Sequence, residues 1–98
     1  MDINRIREGN ELTFFITGSI DSNTAPEAEQ IILDQLLGNE NLVLDLKDVS
    51  YVSSSGLRLF LILYKRMVEH GSFRLRNVND FIREILEMTS FDTILRIE

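Results

Sequence analysis

The sequence predicts an α/β fold, a mixed β-sheet of four to five strands with helices packed mainly on one face. Three features of the chain lead there. Apolar residues switch between strand-like and helix-like spacing in the order β-β-α-β-α-β-α-β. The turn signal Gly9-Asn10 joins the first two segments as a hairpin, whereas later strands are separated by helices, so antiparallel and crossover connections share one sheet. Asn41 to Leu46 is apolar on both faces except at Asp45, as a central strand buried by helices requires.

Taken in order, Ile3 to Arg7 is the partner strand of Glu11 to Gly18, in which β-branched and aromatic residues lie between polar ends. Asp21-Ser22-Asn23-Thr24-Ala25-Pro26-Glu27 has the residues of a helix start: cap candidates, proline in the first turn, and acids near the positive helix end. Ala28, Ile31, Ile32, Gln35 and Leu36 continue that helix, and Gly38-Asn39 is the expected stop. After the central strand, Asp48 is expected to begin a polar turn that opens onto a helix from Ser55 to Glu69. That helix is apolar nearly all round, so its surplus must lie under a neighbouring helix or against a partner. Phe73, Leu75 and Asn77 alternate with Arg74 and Arg76 as a strand with one solvated face. Phe81, Ile82, Ile85, Leu86 and Met88 return to helical spacing, and Thr93 to Ile97 forms a last short strand.

The 98 residues contain no linker-like stretch and fit one domain spanning 1–98. A formal charge of -6, with only Arg5/Arg7, Lys65/Arg66 and Arg74/Arg76 as close basic pairs, argues against nucleic acid. Cysteine is absent, which excludes disulfides and thiolate metal sites and makes the cytoplasm the expected compartment. The N-terminus has no apolar signal core, and the longest apolar run, Leu59 to Tyr64, is too short to cross a membrane, so no membrane partner is expected.

Ser53-Ser54-Ser55-Gly56 at the start of the second helix is the chemically distinctive segment. Serine nucleophiles need a base, and His70, the one histidine, would stand roughly 22 Å along the helix at about 1.5 Å per residue. Val52 also occupies the first position of what would be a Gly-x-Ser-x-Gly elbow. No enzyme activity follows from these residues. Asp21, Asp45 and Asp48 lack His or Cys partners and read as capping, strand-end and turn residues respectively, and no glycine-rich phosphate loop exists, so no metal and no cofactor is expected. One serine suffices to cap the helix. Three in succession leave at least one hydroxyl for a modification or for a partner.

The stretch Leu44 to Leu57, Leu-Asp-Leu-Lys-Asp-Val-Ser-Tyr-Val-Ser-Ser-Ser-Gly-Leu, resembles the signature of STAS domains, the fold of bacterial anti-sigma factor antagonists, in which a strand ending Asp-Leu leads to Asp-Ser-Ser/Thr-Gly-Leu. Gly18-Ser19-Ile20-Asp21-Ser22-Asn23-Thr24-Ala25 is similar to the family's Gly-x-Leu-Asp-x-x-Thr-Ala, and Asn77-Val78 through Leu86 to Phe91 to its closing strand-helix-strand. The resemblance implies a STAS-like sheet and a phosphorylation site at Ser54, with Ser53 in place of the family aspartate and with Ser53 or Ser55 as alternative acceptors. It also implies that Asp21, Ser53, Ser55, Gly56, Leu57 and Arg58 contact the partner, an anti-sigma factor that is a serine kinase, and that a serine phosphatase resets the switch. The alternative is a STAS module that is never phosphorylated and serves as an interaction or scaffold subunit of a signalling or transporter complex.

Overall fold

A computed structural model describes residues 1–98. Five strands pair in the order β1-β2-β3-β4-β5: β1 Asp2–Glu8, β2 Glu11–Ile20, β3 Glu40–Val52, β4 Gly71–Arg76 and β5 Arg96–Ile97. Only β1 and β2 are antiparallel; β2 to β5 run parallel. Gly9 makes the tight hairpin between β1 and β2 with φ +59°, a conformation that L side chains resist. The parallel strands are joined through α1 Ala25–Gln35, α2 Ser54–Met67, and α3 Asp80–Met88 with the short 3₁₀ turn Phe91–Thr93. Each crossover advances one strand in the same direction, so connections of a single hand put all three helices on one face.

That face is the core. Leu12, Phe14 and Ile16 of β2, Leu42, Leu44 and Leu46 of β3, and Phe73 and Leu75 of β4 meet Ala28 and Ile32 of α1, Phe60 and Leu63 of α2, and Ile82 and Leu86 of α3 in one cluster. The apolar surface of α2 is only partly taken up by the core: Leu57, Leu59, Phe60, Leu63 and Met67 are buried, Leu61, Ile62 and Tyr64 are half-buried, and Val68, just past its end, is exposed. On the opposite face no helix lies, yet Val43 is fully buried and Asp45 nearly so. Arginines cover it. Arg76 lies over the Phe15 ring at 5.8 Å and pairs with Asp45 at 3.2 Å, while Asn77 donates to the same carboxylate at 2.8 Å. Arg74 pairs with Glu11 at 3.0 Å and with Glu98 at 3.3 Å. Their aliphatic stems shield the strands while the guanidinium groups stay paired.

Three expectations need correction. β3 does not end at Leu46 but runs to Val52, and Asp48, expected to begin a turn, is a strand residue opposite Thr17. Two register shifts against β2 explain this. The partners step from Phe15↔Asp45 to Thr17↔Asp48, and from Gly18↔Val49 to Ser19↔Tyr51, so β3 carries one extra residue at each place. These bulges turn the inward positions into Leu46, Val49 and Val52, a spacing of three that does not read as a strand. α1 ends at Gln35, before Gly38-Asn39. The last strand shrinks to Arg96–Ile97, because Phe91–Thr93 forms a 3₁₀ turn instead.

The early end of α1 traces to Glu40, the first residue of β3 and only 2% exposed. Its carboxylate accepts from the N–H groups of Leu37 at 2.7 Å and Gly38 at 2.9 Å and from Arg7 Nη1 at 3.0 Å, while Arg7 Nη2 donates to the Gln35 carbonyl at 2.9 Å. Burial pushes the Glu40 carboxyl up, but the two N–H bonds and Arg7 outweigh it and hold it below the usual glutamate range. Because the folded-state value is depressed, the stability it contributes is present above the unfolded value of about 4.3 and is lost as pH falls through the lower folded value. Glu40→Gln, which loses the charge and turns an amide toward donors, is expected to cost about 2 kcal/mol at pH 7. In urea titrations the gap between wild type and this variant should close as pH falls from 6 to 3; a gap independent of pH would contradict the assignment.

Candidate serine-turn site

The carboxyl ends of β2 and β3 finish side by side, since Ile20 is paired with Val52. The chain leaves β2 into the α1 entry loop and leaves β3 directly into α2, so both helix starts stand on the same rim of the sheet. This is the end of a parallel sheet where binding sites generally form. The Ser53 N–H donates to the Ile20 carbonyl at 2.9 Å, which ties the two exits together.

Ser53 is the α2 N-cap, with extended backbone at φ -86° and ψ -179°. Its hydroxyl accepts from the Ser55 N–H at 3.2 Å, and its carbonyl accepts from the Leu57 N–H at 2.9 Å. Ser54, the first residue of α2, is exposed, and none of the turn's hydrogen bonds uses its hydroxyl. Ser55 is half-buried and faces α1 across a groove of about 280 Å³ whose lining includes Pro26, Glu29, Arg58 and Ile62. The three hydroxyls are thus in three different situations: one holds the helix, one faces its neighbour, and one is free.

Gly56 is buried because α2 comes in too close for any side chain there. A Cβ at this position would lie 2.7 Å from the Ile20 carbonyl oxygen and 2.7 Å from Val52 Cγ1. Leu57 is buried as well, at 9% exposure. Of the residues expected to contact a partner, Gly56 and Leu57 are buried and seat the helix start, Arg58 is exposed like Ser54, and Ser53, Ser55 and Asp21 are half-buried.

Asp21 occupies the loop between β2 and α1. Its Oδ1 accepts from the N–H groups of Asn23 at 2.9 Å and Thr24 at 3.1 Å, and its Oδ2 accepts from the Ser19 hydroxyl at 3.0 Å. Those donors, Asn23 first, hold the carboxyl below the usual aspartate range. Thr24 Oγ1 accepts from the Asp21 N–H at 2.9 Å and donates to the Ser19 carbonyl at 2.8 Å, which closes the loop on itself. Asp21 is therefore an anchor of the rim. The three aspartates are held apart, with Asp45 paired to Arg76 on the far face of the sheet and Asp48 exposed on β3. His70 is exposed beyond the other end of α2.

An aromatic pair beside the turn was not expected. Tyr51 and Phe81 stand 6.4 Å apart between ring centroids and are 47% and 54% exposed. Phe81 belongs by spacing to the apolar side of α3, but Ile82 and Leu86 are the buried pair, Ile85 is half-buried against the core, and Phe81 and Met88 are exposed. Asn79 fixes this arrangement: its Nδ2 donates to the Val49 carbonyl at 3.1 Å, and its Oδ1 caps α3 by accepting from the Ile82 N–H at 2.9 Å. The signal in the sequence was the width of the α3 apolar face, broader than one buried stripe needs.

The close approach at Gly56 gives a direct check. Gly56→Ala is expected to cost about 2 kcal/mol in chemical denaturation, the scale of an overpacked core position, although alanine is the better helix former. A neutral or stabilising effect would show that α2 does not need to lie this close to β2.

The comparisons with known proteins agree with this geometry. A family model described as the STAS domain matches residues 3–98. The chain is 30% identical over 95 residues to a protein of Listeria monocytogenes named anti-sigma-B factor antagonist, an alignment covering 94% of this chain and 82% of that protein. The crystal structure of an anti-sigma factor antagonist from Mycobacterium paratuberculosis is similar with a TM-score of 0.88 at 23% identity, covering 98% of this chain and 83% of that one. The structure of the Bacillus cell fate determinant SpoIIAA in its phosphorylated form gives a TM-score of 0.69 at 13% identity, covering 99% and 91% of the two chains. With a match along nearly its whole length, the chain belongs to the STAS domain family.

Proposed function

We propose that this protein is an anti-sigma factor antagonist whose binding to a kinase-type anti-sigma factor is switched off by phosphorylation of Ser54. The observation that carries this reading is the division of labour in the turn, in which Ser53 is engaged as the cap, Ser55 faces the α1 groove, and Ser54 alone is exposed. The relative named as an anti-sigma-B factor antagonist and the phosphorylated structure of the same fold support it. Serine and aspartate are both good N-caps, so Ser53 replaces the family's aspartate without loss of the helix start. The whole chain acts as one domain, in the cytoplasm, as a binding protein rather than an enzyme.

The partner docks on the rim formed by Ser54 and Arg58, with Tyr51 and Phe81 as apolar anchors beside them. Transfer of the γ-phosphoryl group from ATP to Ser54 Oγ releases ADP and the hydroxyl proton, and leaves about -1.5 to -2 charges on the rim. The helix N-terminus tolerates that charge. A closely packed partner does not, because the phosphate must be desolvated against groups that fitted a neutral hydroxyl. A phosphatase that hydrolyses the phosphoserine restores binding.

Incubation with the cognate kinase and ATP, followed by mass spectrometric mapping, is expected to place phosphate on Ser54 and to leave Ser54→Ala unmodified. Modification of Ser53 or Ser55 instead would move the site, and no modification would favour the scaffold reading. In pull-downs from the same kinase, Ser54→Ala is expected to stay bound in ATP, and Ser54→Asp to bind at least tenfold more weakly while unfolding at the wild-type urea midpoint. Undiminished binding by the aspartate variant would remove the switch.

A further inference from the structure

Arg58 is one helical turn beyond Ser54 and is exposed. The ion pairs of the protein are made by Arg7, Arg74 and Arg76, and Arg58 takes part in none. It lines the groove between α1 and α2 together with Ser55 and Glu29, beside the turn. Residues four apart on a helix are neighbours, and a guanidinium fork matches two phosphate oxygens at once. The Ser55 N–H is already taken by the Ser53 hydroxyl, so the cap leaves one fewer backbone donor for a group on Ser54.

We propose that Arg58 is the intramolecular partner of phosphorylated Ser54, closing on the phosphate and leaving the docking surface when the modification is made. This deepens the switch reading and rests on it for its biological meaning. In the unmodified protein Arg58 is a free cation on the rim, available to an acidic group of the partner. After modification the phosphate holds it, so one event both adds negative charge and withdraws a positive contact. Arg58 is then a positioning residue for the modified state, with no part in forming it.

The test uses the full chain with phosphoserine incorporated at position 54 during translation, which removes any dependence on a kinase. The second ionisation of the phosphate, ordinarily near pH 6, is followed by phosphorus NMR. Glu29 lines the groove with Arg58, and Glu29, Asp21 and the α2 dipole are common to wild type and variant, so the difference isolates Arg58. The expected result is a midpoint about 0.5 unit lower with Arg58 than in Arg58→Gln, roughly a threefold change in proton affinity. The Arg58 side-chain N–H signal should also become protected from exchange only in the phosphorylated chain. Identical titrations in the two proteins, or an arginine signal unchanged by phosphorylation, would overturn the clamp. An unchanged titration leaves the kinase switch standing, whereas failure of a kinase to modify Ser54 leaves the clamp standing.

Discussion

The Ile20 carbonyl is the point on which the serine turn depends. It accepts the Ser53 N–H at 2.9 Å, and it lies only 2.7 Å from where a Cβ on Gly56 would be. One backbone oxygen thus fixes both the exit from β3 and the seating of α2 against the end of β2. The two bulges in β3 are what bring the strands into this match, since β3 uses more residues than β2 to cover the same distance. Without them Val52 would not finish beside Ile20, and the three hydroxyls would not stand at a helix start on the rim.

The acidic balance of the chain is consistent with a rim that works by charge. The carboxylates that could have disturbed it are committed elsewhere: Glu40 to the end of α1, Asp45 to Arg76 and Asn77, and Asp21 to its own loop. These groups stabilise turns and cover the open face of the sheet, where arginine stems do the work that a second helical layer does in other folds. What remains at the start of α2 is a neutral hydroxyl, a guanidinium in no ion pair, with Glu29 as the carboxylate of its groove, and an aromatic pair. Such a surface is altered far more by a phosphate than a surface already crowded with carboxylates would be.

Much of this was legible in the sequence because local rules and tertiary structure agree. The Gly9-Asn10 hairpin, the proline-containing start of α1, the buried strand through Asn41 to Leu46, and the alternation of Phe73 and Leu75 with arginines all appear where the pattern places them. The capping role of a serine in the turn was also readable from residue type. Where the pattern failed, a long-range partner had overridden it. Leu46, Val49 and Val52 face inward at a spacing of three because β2 imposes bulges, and no local rule marks those. Glu40 is buried by contacts with Arg7 and the end of α1, 33 residues from the former, so its role cannot be seen from its neighbours. Phe81 is exposed because Ile82 and Leu86 satisfy the core first. Which serine is free depends on the cap bond at Ser53 and on the partial burial of Ser55, which three identical side chains cannot announce.

In the proposed switch the domain is a fixed scaffold on which modification changes the charge of one rim and nothing else. Comparing backbone amide NMR spectra of the unmodified chain and the chain carrying phosphoserine at position 54 tests this most directly. Shifts confined to the α1 entry loop, the Tyr51 to Leu59 segment and the facing turn of α1 are predicted, with β1, β4 and the Glu40 clamp unchanged. Shifts spread through the sheet, or loss of dispersed core signals, would contradict it and make the switch a conformational one.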